Sequence, residues 1–368
     1  MRAHAPVHWH PPGELPGFWS LTRYEDIRAV YRDHRVFSSA HGVLLRPAKC
    51  GVDPGGGQTL ALTDPPRHKQ LRGLIADWFS ARSIRALEDS IRSTVQTLLA
   101  RAVARGECDF VHDVAARLSH HVICGLIGVP EADQENLFQW TNDAFNATDP
   151  AAQALAHQQV MQYFLDLMYQ RMVEPTDDLV STLVSGNVDG ELLTEKEIFL
   201  NCENLIGATE NGRLALIGGM LALIEHPDQW QRLHADRELM PAAVEEILRW
   251  TSSATHSMRT VTEPTALRNQ RIEAGDRVVL WIPSANRDEE IFTDPDRFDI
   301  GRTPNRHLAL GAGEHFCIGS ILARAETRIL LAELLSTVDR VELAGTVVPV
   351  HSTAVNGVEH LPVRMIAS

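Results

Sequence analysis

Apolar residues recur at helical spacing through most of the chain. In "TRYEDIRAVYRDHRV" (22–36), Ile27, Val30 and Tyr31 share one face behind a threonine, which predicts a helix capped by Thr22. Residues 82–105 and 113–127 repeat the pattern, and 130–180 predict several helices broken at Asp149-Pro150. The stretch 196–225 is apolar on most sides, which predicts a long helix through the middle of the molecule. Residues 43–61, rich in Gly and Pro, read as a long loop of the functional kind, and Asp64-Pro65-Pro66 opens a further helix. Beyond residue 258 the texture changes. "ALRNQRIEAGDRVVLWIPSANR" holds strand-like runs split by Ala-Gly-Asp, a hairpin signal, and helical spacing returns at 318–337 before short strands at the end. The expectation is a mainly α domain with small β-sheets over 1–368, with 1–16 a mobile tail that includes "HWH" at 8–10.

Charge narrows the functional classes. A formal net charge of -14 argues against nucleic-acid or anionic-membrane binding, both of which are driven by positive charge. No apolar run approaches the ~18 residues a membrane span needs, and the first residues lack a signal-peptide core. The five cysteines have no CxxC spacing, which fits a reducing cytoplasm better than a disulfide framework.

Candidate chemistry concentrates in Leu310–Gly319, "LGAGEHFCIG". A lone cysteine is most often a buried structural thiol, and a nucleophile needs a base and a lowered pKa. His315-x-Cys317 is too short to make a tetrahedral zinc site by itself. A thiolate serving as axial ligand to haem iron needs one cysteine and a backbone that allows close approach and frees N–H groups for the sulfur. A helix beginning just after Cys317 would also favour the anion through its N-terminal dipole.

The stretch resembles the haem-ligand signature of the cytochrome P450 superfamily, F-G-x-G-x-H-x-C-x-G, with Leu310 in place of the Phe. Glu246-Ile-Leu-Arg249 matches the family's E-x-x-R, whose two charges meet at i,i+3, and Arg297 of "PDRF" matches the arginine that completes that structural network. His68 and Arg72 match its H-x-x-x-R pair. With Arg259 and His315 they are implied as donors to the haem propionates. The resemblance spans about Gly17 to Arg364 and implies the P450 fold, with haem b as cofactor, Cys317 as the iron ligand, and Gly311 and Gly319 shaping the loop. It also implies use of O2, with electrons from NAD(P)H through a ferredoxin and ferredoxin reductase. Arg67, Lys69, Arg72 and Arg324 are the candidate basic docking patch.

The family's acid–alcohol pair aligns with Glu210 and Asn211, so the acid is kept and an amide stands where the Thr is usual. An amide both donates and accepts hydrogen bonds, whereas Thr209 is turned about 200° away on the helix. Gly212 after it predicts a local bend. By the same resemblance the substrate pocket draws on Leu44, Leu45, Phe145, Leu205, Ala208, Ser253, Ala254, His256 and Val355. Hydroxyls in Thr251-Ser252-Ser253 suggest a small organic substrate with polar handles, as in secondary metabolism. The function implied is a monomeric, cytoplasmic haem-thiolate monooxygenase that hydroxylates or epoxidises. The alternatives are oxidative coupling or desaturation, a substrate tethered to a carrier protein, and a non-catalytic haem sensor.

Overall fold

The computed structural model describes residues 1–47, 53–146 and 149–367, and all their side chains except those of 145 and 146. The expected loop at 43–61 therefore lies partly outside the described residues.

The long apolar helix runs from Glu195 to Glu225. A capping box opens it: Thr194 Oγ1 accepts from the Glu197 amide at 3.2 Å, and Glu197 Oε2 accepts from the Thr194 amide at 2.9 Å. It packs against Ala116–Ile127, Pro150–Val173 and Met240–Thr251. Two glycines permit the last contact. A Cβ at Gly218 would lie 2.5 Å from Thr251 Cγ2, and one at Gly219 would lie 2.7 Å from Ile247 Cγ2. The helix passes through Gly212 without interruption, so the expected bend does not break it. The Ser320–Thr337 helix, which follows the cysteine loop, packs on both Ala81–Arg105 and Met240–Thr251.

A five-stranded sheet flanks this bundle in the order Val7–His10, Phe18–Leu21, Arg277–Trp281, His256–Val261, Phe37–Ser38. Three expectations need correction there. The stretch read as a mobile tail contributes an edge strand, paired antiparallel with Phe18–Leu21, with Val7 buried. Thr22 does not cap the first helix, Tyr24–Arg32. Its hydroxyl and amide both bond the Pro6 carbonyl, and Asp288 Oδ2 takes the Tyr24 amide at 2.8 Å. The hairpin turns at Arg268-Asn269, between Thr265–Leu267 and Gln270–Ile272. Gly275 then carries the chain, at φ +88, into the larger sheet. Strand propensity marked these runs, but partner choice is set by contacts distant in sequence.

The E-x-x-R pair is fully buried. Arg249 donates to both Glu246 oxygens at 2.7 and 2.8 Å and to the carbonyls of Asn286 and Pro295. The third member is Arg302, whose Nε lies 3.1 Å from Glu246 Oε2. Arg297 contributes only its carbonyl, to Arg249 and Arg302, so the sequence match placed the partner five positions too early. Asn305 Nδ2 also reaches Glu246 Oε2, at 3.0 Å.

Removing one partner strands a buried charge, which typically costs ~3–5 kcal/mol. Arg249→Ala should lose about that much in urea unfolding of the haem-loaded protein, with Arg302→Ala intermediate. Arg297→Ala should cost under about 1 kcal/mol, because its side chain is outside the network. An Arg297→Ala loss equal to that of Arg302→Ala would contradict this assignment.

Candidate active site

The cysteine loop is held at both ends. The Cys317 amide donates to the Leu310 carbonyl at 2.9 Å, and the Cys317 carbonyl accepts from Ser320 at the start of the next helix at 3.2 Å. Gly311 and Gly313 have φ +69 and +71, and a Cβ at Gly313 would lie 2.4 Å from the Tyr31 carbonyl oxygen. Only glycine allows the loop to lie this close to the Tyr24–Arg32 helix. Burial pushes the Cys317 thiol up. The Gly319 amide, Arg72 and Arg324 oppose that shift by favouring the thiolate.

Four groups expected to meet carboxylates collect beside it. The rings of His68 and His315 lie 4.2 Å apart between centroids. Both nitrogens of His68 and Nε2 of His315 are buried without a partner. Burial, then Arg259, His68 and Arg72, push His315 down to about 3, and burial and Arg72 lower His68. Arg259 is buried, stacks 5.3 Å from the Tyr31 ring centroid, and donates to Ser257 Oγ at 2.8 Å. None of the four forms an ion pair among the described residues. A buried cluster of donors with so little counter-charge fits a ligand that brings carboxylates of its own.

A cavity of about 380 Å³ opens between this loop and the central helix. Cys317, Gly311, Gly319, His315 and Arg259 line it, as do Leu44, Leu205, Ala208, Asn211, Ser253, Ala254 and His256. Two expected lining residues are elsewhere. Leu45 packs with Phe18, Met258 and Val279, and Val355 sits behind the wall, bridged to Ala254. Phe145 lies outside the residues with described side chains. His256 is a tie more than a substrate contact. One ring nitrogen accepts from the Leu45 amide at 2.9 Å, and the other faces the Thr353 carbonyl at 3.1 Å. Of the three hydroxyls at 251–253 only Ser253 faces the cavity. Ser252 caps the preceding helix through the Arg249 carbonyl at 2.7 Å.

On the central helix the expected pair divides. Asn211 faces the cavity, and its amide has no hydrogen-bond partner among the described residues. Glu210 instead pairs with Arg213 at 2.5 Å and lines a separate, water-sized chamber of about 20 Å³. Residues 210 and 211 sit about 100° apart on a helix, and the Glu210 carboxylate is turned from the cavity toward Arg213. Thr209 and Ser119 line both spaces. Thr209 spends its hydroxyl on the Ile206 carbonyl at 2.6 Å.

Sequence reasoning missed Glu326. It is buried in the wall of the large cavity and accepts from Ser119 Oγ at 3.3 Å. Burial pushes its carboxyl up to about 7, against the Ser119 hydrogen bond. A Cβ on Gly212 would come 3.9 Å from Glu326 Oε2, so the acid lies against the central helix. A signal existed: Glu326 falls on the apolar face marked by Leu322, Ala325 and Ile329. The basic docking patch, by contrast, is largely neutralised. Arg67 pairs with Glu197, Lys69 with Glu314 at 3.1 Å, and Arg324 with Glu245 at 2.5 Å.

A cysteine on the wall of an apolar chamber, with two partnerless histidines and two unpaired arginines beside it, fits a haem-thiolate protein. Comparison with known proteins specifies the family. The Cytochrome P450 family model matches residues 174–341. Cytochrome P450 NovI of Streptomyces niveus is 38% identical over 371 residues, covering 99% of this chain and 91% of NovI. The crystal structure of P450 OxyD, involved in the biosynthesis of vancomycin-type antibiotics, matches with a TM-score of 0.92 at 34% identity, covering 100% of this chain and 94% of OxyD. P450BioI in complex with an acyl carrier protein ligated to hexadec-9Z-enoic acid matches with a TM-score of 0.88 at 30% identity, covering 99% of this chain and 96% of that one. The chain belongs to the cytochrome P450 family and is an enzyme of the monooxygenase class, with the P450 fold and a haem-iron cofactor. No helix among the described residues is long and apolar enough to cross a membrane.

Glu326 has a pH signature. Its folded-state pKa lies above the ordinary 4.5, so the folded chain holds this proton more tightly than the unfolded chain. Its contribution is fully present below about pH 4.5 and lost as pH rises through about 7, on the order of 3 kcal/mol in all. Glu326→Gln should therefore stabilise the haem-loaded protein more at pH 8 than at pH 5, read as the difference in apparent Tm. An equal difference at both values would show that Glu326 is not the titrating group.

Proposed function

We propose that this chain is a monooxygenase that inserts one oxygen atom into a small, mostly apolar substrate carrying a polar group, in the tailoring of a natural product. Haem iron bound to a thiolate supplies the activation of dioxygen. The chain's own residues do the rest. Cys317 would hold the iron, with its charge favoured by the Gly319 amide and Arg72. His68, Arg72, Arg259 and His315 would orient the cofactor by donating to its propionates. Leu44, Leu205 and Ala208 keep the chamber dry, and Ser253 offers the substrate one hydroxyl.

Asn211 carries the reading of how protons are handled. Its unpartnered amide can fix a water or a polar group of the substrate where a relative would present a hydroxyl. Glu210 with Arg213 holds the small chamber, and Thr209 with Ser119 lines both spaces. Ser119 Oγ and Glu326 Oε2 form a second place where a proton can be kept. Electrons come from NAD(P)H by way of a small ferredoxin-type partner. With the patch cations paired, docking rests on Phe316 and Ile321, exposed beside the cysteine, and on Arg72.

A second reading is a substrate delivered on a carrier protein. It is favoured by the likeness to P450BioI, whose structure holds such a carrier. A free compound and its carrier-bound form, titrated in parallel for a haem spin-state shift, separate the two.

With a surrogate ferredoxin and reductase, Asn211→Ala should release several-fold more hydrogen peroxide per NAD(P)H consumed than the parent chain, and Asn211→Thr should stay near it. Equal peroxide yields in the parent and in Asn211→Ala would remove Asn211 from proton handling.

A further inference from the structure

A cluster away from the haem cavity has the chemistry of a metal site. Asp109 ends the Glu107–Asp109 strand, and His112 follows in the Val111–Ala115 turn of helix. His360 arrives from the far end of the chain in Val358–His360, because Pro362 pairs with Asp109 in the three-stranded sheet.

The carboxylate is positioned before any ligand binds. Asp109 Oδ1 accepts from the amides of Val111 at 3.1 Å and Leu361 at 3.0 Å. The Asp109 amide donates to Asp113 Oδ2 at 3.0 Å. This leaves Oδ2 facing two imidazoles: His360 Nδ1 at 2.6 Å and His112 Nε2 at 4.0 Å. The two rings lie 5.0 Å apart at 51°, and all three ligand atoms fall within 4.8 Å of one another. Metal–ligand bonds of ~2.0–2.2 Å require ligand atoms roughly 3.3 Å apart, so His112 has to close by less than about 1.5 Å. The partly exposed rings have room to turn and leave an open side for water.

Charge is balanced. Arg213 of the central helix faces His112, and Asp113, itself paired with Arg105 at 3.1 Å, faces it with the opposite sign. We infer that Asp109, His112 and His360 form a binding site for a divalent transition metal with borderline-soft preference, zinc being the best match to two imidazoles and one carboxylate. The metal takes the place of the proton on His360 Nδ1.

The position gives the site a consequence. Just before His360, Gly357 packs so closely on Leu214 of the central helix that a Cβ would lie 2.5 Å from Leu214 Cδ2. The turn before it carries the Thr353 carbonyl that faces His256 in the cavity wall. A metal joining His360 to His112 would stiffen this back wall of the substrate chamber.

The test uses haem-loaded full-length protein stripped with a chelator and titrated with zinc chloride by calorimetry. The background substitutions His8→Ala and His10→Ala remove the separate N-terminal pair. One zinc per chain is expected, with affinity at least tenfold weaker in His112→Ala and in His360→Gln. Zinc should also raise the apparent Tm in the background protein and not in either variant. The reduced carbon monoxide spectrum, unchanged in both, shows that the fold and haem site are intact. No zinc binding in the background protein, or undiminished affinity in His112→Ala and His360→Gln, would overturn the inference.

Discussion

A sulfur that is to carry negative charge inside an apolar wall has to be surrounded by groups that favour the anion, and most of this molecule is arranged around that requirement. Burial alone pushes the Cys317 thiol up. The opposing groups come from separate segments: the Gly319 amide from the loop, Arg72 from the Arg67–Ile75 helix, and Arg324 from the helix after the cysteine. Each is held in turn. Arg324 is clamped by Glu245, which burial raises and the His307 and Arg324 contacts bring down to about 2. The neighbouring Glu246 binds Arg249, Arg302 and Asn305, and Asn286 takes the Leu308 amide at 2.7 Å. The E-x-x-R network thus fixes the chain that leads into the cysteine loop, which is why a structural ion pair bears on the chemistry.

The central helix answers from across the cavity. Its glycines serve two different ends. Gly218 and Gly219 let it cross Met240–Thr251 at close range, while Gly212 lies beside Glu326 and Ser119. Glu326 therefore ties the Ser320–Thr337 helix to Ser119 of Ala116–Ile127 and lies against the central helix. The exchange of Thr for Asn at 211 is read best in that setting. One polar group on the helix is altered, and a buried acid with a pKa of about 7 stands beside it.

Local motifs made the haem side of the site legible. The cysteine loop, the H-x-x-x-R pair and the E-x-x-R pair are short runs that match the family's motifs; the structure brings His68 and His315 together and buries Glu246 with Arg249. Most of the failures involve partners distant in sequence. Arg302 and Arg297 are both arginines of one irregular segment, and only the path of the chain shows which side chain turns toward Glu246. The Val7–His10 strand has no local signal beyond its composition, and it forms because Phe18–Leu21 offers it an edge. Glu210 and Asn211 align with the family's pair, but Arg213 draws the Glu210 carboxylate into the small chamber while Asn211 faces the large one. Glu326 is marked in the sequence only by its place on an apolar helix face; its partner, Ser119, lies 207 positions earlier.

The central claim is that Cys317 binds haem iron as a thiolate, and the reduced, carbon monoxide-bound absorption spectrum tests it most directly. Freshly prepared protein should show the strongly red-shifted Soret band of a thiolate-ligated haem, and Cys317→His should lose it while still binding haem. A Soret band at the unshifted position in the parent protein, or a red-shifted band that survives Cys317→His, would contradict the account.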